Sequence, residues 1–163
     1  MHGHSRGSLL LNPDYRDILS GFCEEKVEFL LVGAYALAVY GLPRATGDID
    51  LWIRCSGENA HRVARALVKF GAPSSHLGEA ELKTPGNVLQ IGVIPRRIDI
   101  LTSIDGVDFD EAWRDRTEVD IEGLKVPVIG RLHLIRNKKA VGRQQDLADI
   151  ARLEGEEDAA TGE

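Results

Sequence analysis

The sequence predicts an α/β (α+β) domain built on a mixed β-sheet flanked by helices. Three observations carry that expectation. Short runs rich in β-branched and aromatic residues, such as Val27–Val32 and Ile49–Ile53, alternate with segments whose apolar residues recur every three or four positions. The resulting order, αβαβαββαββαα, twice places strands in direct succession, which points to a mixed rather than a purely parallel sheet. Apolar residues make up 43% of the 163 positions, enough for one core at this length.

Each element has its own local signal. Asn12-Pro13-Asp14 starts a helix that Tyr15, Ile18, Leu19 and Phe22 continue at helical spacing. Val27–Val32 reads as a strand ending at Gly33. Ala34–Tyr40 reads as a short helix closed by Gly41-Leu42-Pro43. Ile49–Ile53 is a second strand. Val63, Ala66, Leu67 and Phe70 mark a helix over Glu58–Phe70 that Gly71 stops. Residues 72–87 lack periodicity and read as a loop, with Glu79, Glu81 and Lys83 as solvated charges. Val88–Ile94 and Arg97–Leu101 are strands joined through Pro95-Arg96. Phe109–Arg114 is a short helix. Val119–Ile121 and Lys125–Ile129 flank Glu122-Gly123 as a hairpin. Leu132–Ala140 and Arg143–Leu153 are closing helices.

Charge and composition narrow the functional classes. The formal net charge is −6, but the five carboxylates of residues 154–163 account for most of it and leave the body near −1. Residues 154–163 are expected to be an acidic disordered tail, residues 1–13 a flexible leader, and residues 14–153 the single domain. The body lacks the broad basic field that grips nucleic acid through its phosphates. The longest nearly apolar run, Phe29–Leu42, has 14 residues, too short to span a membrane. Residues 1–8, MHGHSRGS, contain no apolar signal segment. Cys23 and Cys55 are not spaced as metal ligands and read as thiols of a reducing compartment, so the expected location is the cytoplasm, with no membrane partner.

The chemistry is concentrated in "LLVGAYALAVYGLPRATGDIDLWI", residues 30–53. Side chains alternate across a strand, so Asp48 and Asp50 share one face and Ile49, Leu51 and Ile53 the other. The apolar face pins the register, because a one-residue slip would bury both carboxylates. Arg97-Ile98-Asp99-Ile100-Leu101 repeats the pattern and sets Asp99 opposite Ile98 and Ile100. If the two strands are neighbours, three carboxylates converge, a set of oxygen donors suited to a hard divalent cation. Ordinary surface aspartates would account for a lone Asp-x-Asp; the third aspartate in a second apolar strand favours a site. Gly33-Ala34 opens a helix whose first N–H groups could meet phosphate, although close packing would also explain a glycine there. Arg44 could clamp a phosphate or brace Asp48, and Thr46 could be turn chemistry. Trp52 is a candidate for base stacking or for plain packing. His61, His76 and His133 read as surface or core histidines. On the last helix, Arg143–Asp146 is an i,i+3 pair, as is Asp146–Asp149; a surface ion pair of this kind contributes ~0.2–0.5 kcal/mol.

Three quoted stretches, "VGAYALAVYGLPRATGDIDL", "RIDIL" and "NKKAVGRQQDLADI", together resemble the polymerase-beta type nucleotidyltransferase superfamily. Within it, the resemblance is to the small bacterial branch of AbiEii-like toxins and MenT-like transferases. It spans about residues 14–153 and rests on an ordered set: glycine-led helix, Arg-x-Thr, Asp-x-Asp, a later strand aspartate, and a terminal Lys…Arg…Asp…Asp helix. The resemblance implies a nucleotidyltransferase fold and transfer of a nucleoside monophosphate from a nucleoside triphosphate to a hydroxyl of an RNA 3′ end or a protein, with pyrophosphate release. It implies Mg²⁺ or Mn²⁺ held by Asp48, Asp50 and Asp99, and a cognate toxin or antitoxin as partner. Gly33, Ala34, Arg44, Thr46, Lys138, Asp146 and Asp149 would serve nucleotide binding. The superfamily usually has Gly-Gly or Gly-Ser where this chain has Gly33-Ala34, so a serine hydroxyl is missing from the phosphate turn. A nucleotide-binding antitoxin or regulatory module of the same fold, weak in catalysis, is the alternative that the resemblance leaves open.

Overall fold

A computed structural model of the chain describes residues 11–43, 47–73, 78–93 and 95–161. Its helices are α1 (Pro13–Glu24), α2 (Gly33–Val39), α3 (Gly57–Phe70), α4 (Glu79–Leu82), α5 (Phe109–Arg114), α6 (Arg131–Val141) and α7 (Gln144–Thr161). Its strands are β1 (Phe29–Val32), β2 (Ile49–Ile53), β3 (Val88–Ile91), β4 (Ile98–Leu101), β5 (Thr117–Ile121) and β6 (Leu124–Val128).

Local chemistry sets most of the boundaries. The Asn12 side chain accepts from the Tyr15 N–H at 2.9 Å, and Pro13 occupies the first turn, where its missing N–H costs nothing. Ser56 caps α3 through the Asn59 N–H at 3.1 Å, and Gly71 closes that helix in the left-handed conformation. The strands form one mixed sheet in the order β3-β4-β2-β1-β6-β5. β1–β6 and β2–β4 run parallel, whereas β1–β2, β3–β4 and β5–β6 run antiparallel.

The main core lies on the sheet face that carries Phe29, Leu31, Ile49, Leu51 and Ile53. Tyr15, Ile18, Leu19 and Phe22 of α1 and Val63 and Leu67 of α3 are fully buried with them. Phe22 meets Phe29 edge to face at 5.1 Å. Burying a side chain of this size stabilises the fold by about 1.5–3 kcal/mol, so this layer fixes which face of β2 points inward. Asn59 locks the neighbouring strand ends together. Its amide oxygen accepts from the Glu28 N–H at 2.8 Å, and its amide nitrogen donates to the carbonyls of Glu28 and Arg54 at 3.0 and 2.9 Å.

The structure departs from the sequence expectations at several boundaries. The stretch expected to be an unstructured loop contains α4, because Leu82 inserts into the core at 2% exposure. β3 stops at Ile91, where Gly92 turns the chain at φ +83° toward β4. α7 continues past Leu153 to Thr161. Trp52 is packed within the sheet rather than open for stacking: it is 2% exposed and meets Phe109 of α5 edge to face at 5.0 Å. His133 is buried on α6 and its Nε2 lies 2.9 Å from an Asp115 carboxylate oxygen. Among the described residues, no helix is long and apolar enough to cross a membrane.

Candidate active site

β2 and β4 are parallel neighbours, and their register pairs Asp50 directly with Asp99. Paired residues on adjacent strands project to the same face, so the two carboxyls meet. Asp48 lies one residue before β2, on the same side as Asp50. On the other flank of β2, Asp50 pairs with Val32, the last residue of β1. The chain then turns at Gly33, with φ +70°, to enter α2. A Cβ placed on Gly33 would stand 2.2 Å from Asp50 Oδ2, so the close approach of this turn to the carboxylate requires glycine. The structure therefore assembles Asp48, Asp50, Asp99 and the Gly33-Ala34 turn at one end of the strands. Asp50 stands between the turn on one side and Asp99 on the other.

Arg97 lies among these carboxylates. Its Nε donates to Asp99 Oδ1 at 2.8 Å, and one terminal nitrogen donates to Asp48 Oδ2 at 2.9 Å and Asp99 Oδ2 at 3.2 Å. The sequence reading quoted this arginine within its motif and assigned it no role. The signal was available: Arg97 and Asp99 are two apart on a strand and so share a face. Tyr15 was likewise read as a core position of α1, but its hydroxyl donates to the Arg97 carbonyl at 3.0 Å. The Ile49 N–H donates to the same carbonyl at 3.1 Å. This backbone anchor holds the entrance of β4 against β2 independently of the arginine side chain.

The electrostatics bear most on Asp50. Burial, the charges of Asp99 and Asp48 and a hydrogen bond with Asp99 push the Asp50 carboxyl up to about 7, and Arg97 only partly offsets them. The Tyr15 hydroxyl is pushed up to about 12, by burial first and then by Tyr35 and Asp48. Hydrogen bonding to Asp99 strengthens the hold of Arg97 on its proton.

The donor set fits a divalent cation in its chemistry: three carboxylates converge and offer hard oxygen ligands. Among the described residues, however, no three His, Cys, Asp or Glu side chains stand as they would around a metal ion. The Arg97 guanidinium bridges Asp48 and Asp99 instead.

Three of the other expected site residues meet one another. Lys138 on α6 and Asp146 and Asp149 on α7 form a buried cluster in the closing helical hairpin. Lys138 Nζ is 3.2 Å from Asp146 Oδ1 and 2.9 Å from Asp149 Oδ2. Arg143 grips Asp146 through Nε at 2.7 Å, through a second guanidinium nitrogen at 3.2 Å and through its backbone N–H at 3.1 Å. Gln145 donates to Asp149 Oδ1 at 3.1 Å. The Arg143 hydrogen bond, with help from Lys138, holds the Asp146 carboxyl down to about 2. Arg44 and Thr46 lie outside the described residues.

The fold matches solved structures at low sequence identity. A candidate nucleotidyltransferase from Thermotoga maritima aligns with a TM-score of 0.58 and 19% identity, over 96% of this chain and 99% of that one. The lincosamide antibiotic adenylyltransferase LnuA, solved with lincomycin bound, aligns at 0.55 with 16% identity, over 88% of this chain and 97% of that one. ANT(2″)-Ia, solved in complex with adenylyl-2″-tobramycin, aligns at 0.52 with 15% identity, over 85% and 84%. No family model matches the sequence, and no curated protein matches it. Likeness at these identities establishes the architecture: the chain has the nucleotidyltransferase fold.

Proposed function

We propose that this protein is a nucleotidyltransferase that moves a nucleoside monophosphate from a nucleoside triphosphate to a hydroxyl acceptor and releases pyrophosphate. The observation that carries the reading is the pairing of Asp50 with Asp99 across β2 and β4, with Asp48 beside them and the Gly33 turn against Asp50. Two structural neighbours, an antibiotic adenylyltransferase and a protein solved with adenylyl-2″-tobramycin, support the reaction class.

Asp48, Asp50 and Asp99 would hold Mg²⁺ or Mn²⁺, which supplies charge neutralisation for the triphosphate and polarises the attacking hydroxyl. The chain's own residues divide the remaining work. Gly33 and Ala34 open α2 at the turn that lies against Asp50 and form the phosphate side of the site. Asp99 is one strand farther from that turn than Asp50, so it faces the acceptor side and orients the hydroxyl. Tyr15 and Ile49, through the Arg97 carbonyl, keep the two aspartate strands in register. Lys138, Asp146 and Asp149 are assigned to bracing the α6–α7 hairpin, because the Lys138 ammonium already meets two buried carboxylates.

The acceptor belongs to the same proposal. RNA 3′ ends and protein hydroxyls remain the acceptors implied by the AbiEii-like and MenT-like resemblance, with a cognate toxin–antitoxin partner. The structural neighbours named for antibiotics add small-molecule hydroxyls. The test is label transfer from each of the four α-labelled ribonucleoside triphosphates to RNA, to protein and to an aminoglycoside or lincosamide panel, with Mg²⁺ or Mn²⁺. Transfer that Asp48→Asn and Asp99→Asn both abolish is expected. Nucleotide binding with no transfer to any class would reduce the chain to a binding module.

A further inference from the structure

We propose that Arg97 is a built-in counterion that occupies the cation position of the aspartate cluster and must leave it before a divalent cation binds. The inference rests on the nucleotidyltransferase reading and concerns the regulation of that same site. Three observations carry it.

The first is geometric. The guanidinium makes contacts of 2.8, 2.9 and 3.2 Å to Asp99 and Asp48, residues from two adjacent strands. These are three of the six oxygens of Asp48, Asp50 and Asp99 on which a bound cation would draw. A carboxylate oxygen that receives a guanidinium N–H along its lone pair cannot direct that lone pair to a metal ion.

The second concerns attachment. The Arg97 backbone is anchored through its carbonyl by Tyr15 and by Ile49. The side chain contributes nothing to that anchor, so it can swing away without unzipping β4 from β2. Its side chain is 24% exposed, which leaves a path toward solvent.

The third concerns sequence placement. The neighbouring Arg96 lies in the bend before β4 and is exposed. The charge of this segment is therefore duplicated, but only one of the two guanidiniums reaches the carboxylates. A general preference for basic residues in the turn would not produce the bidentate Arg97–Asp99 contact, whose planar fork is specific to arginine.

The consequence is a threshold. A free divalent cation must displace a charge-assisted network, so the metal alone binds weakly. A cation that arrives with a triphosphate brings further ligands and overcomes the same barrier. Removing the guanidinium should tighten binding of the metal alone while leaving its dependence on the aspartates intact.

The experiment measures Mn²⁺ binding to the full chain by electron paramagnetic resonance, without nucleotide, at neutral pH. The proteins are wild type, Arg97→Met, Arg97→Lys, Arg96→Met and the double variant Arg97→Met/Asp50→Asn. Far-ultraviolet circular dichroism checks the fold of each. Arg97→Met is expected to bind Mn²⁺ at least about tenfold more tightly than wild type, the equivalent of removing one charge-assisted contact. Arg97→Lys, which keeps the charge without the fork, should fall between them and serves if the methionine variant does not fold. Arg96→Met should stay within about twofold of wild type, because its charge is near the site but makes no contact there. The double variant should lose the gain. Equal or weaker binding in both Arg97 variants would overturn the proposal, as would an equal gain in Arg96→Met or a gain that survives Asp50→Asn. A parallel series with Mn²⁺ plus a non-hydrolysable triphosphate separates the two levels. Binding there without any Arg97 effect defeats only the counterion proposal, whereas no binding in any protein defeats the nucleotidyltransferase reading with it.

Discussion

Asp50 and Asp146 are both aspartates set among other ionised groups, and their carboxyls are displaced in opposite directions. Asp50 is pushed up to about 7 by burial and by Asp99 and Asp48, whereas Asp146 is held down to about 2 by Arg143 and Lys138. The contrast is one of stoichiometry. Beside β2 and β4, Arg97 contacts Asp48 and Asp99, and Asp50 stands against Asp99 with only the more distant field of that arginine. In the α6–α7 hairpin, two carboxylates are matched by Lys138 and Arg143, with Gln145 in support. A matched buried cluster has every reason to be structural, since breaking it strands a charge. A carboxyl raised by burial and by its acidic neighbours, as Asp50 is, disfavours its ionised form in the resting fold, and that is tolerable where a ligand later supplies positive charge. On the proposed function, the comparison gives chemistry to the first region and architecture to the second, although both are acidic residues named by the same sequence motif set.

The sharpest way to break that assignment is to substitute one aspartate in each region. Asp50→Asn should lower nucleotidyl transfer by on the order of 10²–10³-fold, comparable to removing a preorganised transition-state contact. Its melting temperature should stay level or rise, because like-charge repulsion is relieved. Asp146→Asn should do the reverse: it should cost about 3–5 kcal/mol in urea unfolding, as expected for a broken buried ion pair, while the folded fraction keeps its turnover. If Asp146→Asn is stable and inactive, the hairpin belongs to the site and the contrast collapses.

Lys138 is a residue with two candidate roles. The resemblance gave it to the nucleotide phosphates, and the structure gives its ammonium to Asp146 and Asp149. Lys138→Met should cost about 1–3 kcal/mol, the penalty for leaving buried acceptors without their donor. The rise in melting temperature produced by Mg²⁺ and triphosphate should remain. A variant that melts like wild type alone but no longer responds to nucleotide would return Lys138 to the phosphate.

Period-two alternation made much of the site legible in advance. It placed Asp48 and Asp50 on one face and Asp99 on the corresponding face of its own strand, because burial of Ile49, Leu51, Ile98 and Ile100 leaves no other register. What it could not supply was the adjacency of β2 and β4. They are separated in sequence by α3, α4 and β3, and strand order is a tertiary property. Burial of polar residues was also illegible. Lys138 near a helix C-terminus looks like any solvated lysine, yet only 8% of it is exposed once α7 folds over it. The same limit hid α4, whose flanking glutamates read as solvent while Leu82 entered the core.

Gly33 and Gly41 offer a smaller test, confined to the phosphate side of the first region. Both have positive φ, +70° and +88°, so alanine at either position incurs backbone strain of about 1–2 kcal/mol. Nothing lies within 4 Å of a Cβ on Gly41, whereas a Cβ on Gly33 would meet Asp50 Oδ2 at 2.2 Å and Cγ at 3.0 Å. Gly41→Ala should lower stability and spare the nucleotide response. Gly33→Ala should lower stability by a similar amount and also blunt the response, because the Asp50 carboxylate must move. Calorimetric titration with Mg²⁺ and a non-hydrolysable triphosphate reads the difference, and matching affinities in the two variants would show that the turn does not need its closeness to Asp50.

The finest distinction between the regions is in pH. An aspartate in the unfolded chain titrates near 3.9. Asp50, raised to about 7, binds more protons folded than unfolded between those values, so its contribution makes stability decline as pH rises from about 4 to about 7. Asp146, lowered to about 2, binds fewer protons folded than unfolded in the acid range. Its stabilisation is present above about 4 and is lost as pH falls toward 2. Solvent reaches the aspartate cluster, so the first slope is shallow and appears only against a matched control. Urea midpoints measured from pH 2 to 8 should show Asp50→Asn flattening the decline between 4 and 7 while keeping the acid loss. Asp146→Asn should remove part of the acid loss and keep the decline. If Asp50→Asn instead left the profile between 4 and 7 unchanged and removed part of the acid loss below 4, Asp50 would be a depressed carboxylate like Asp146, and the opposite displacements that separate the two regions would not exist.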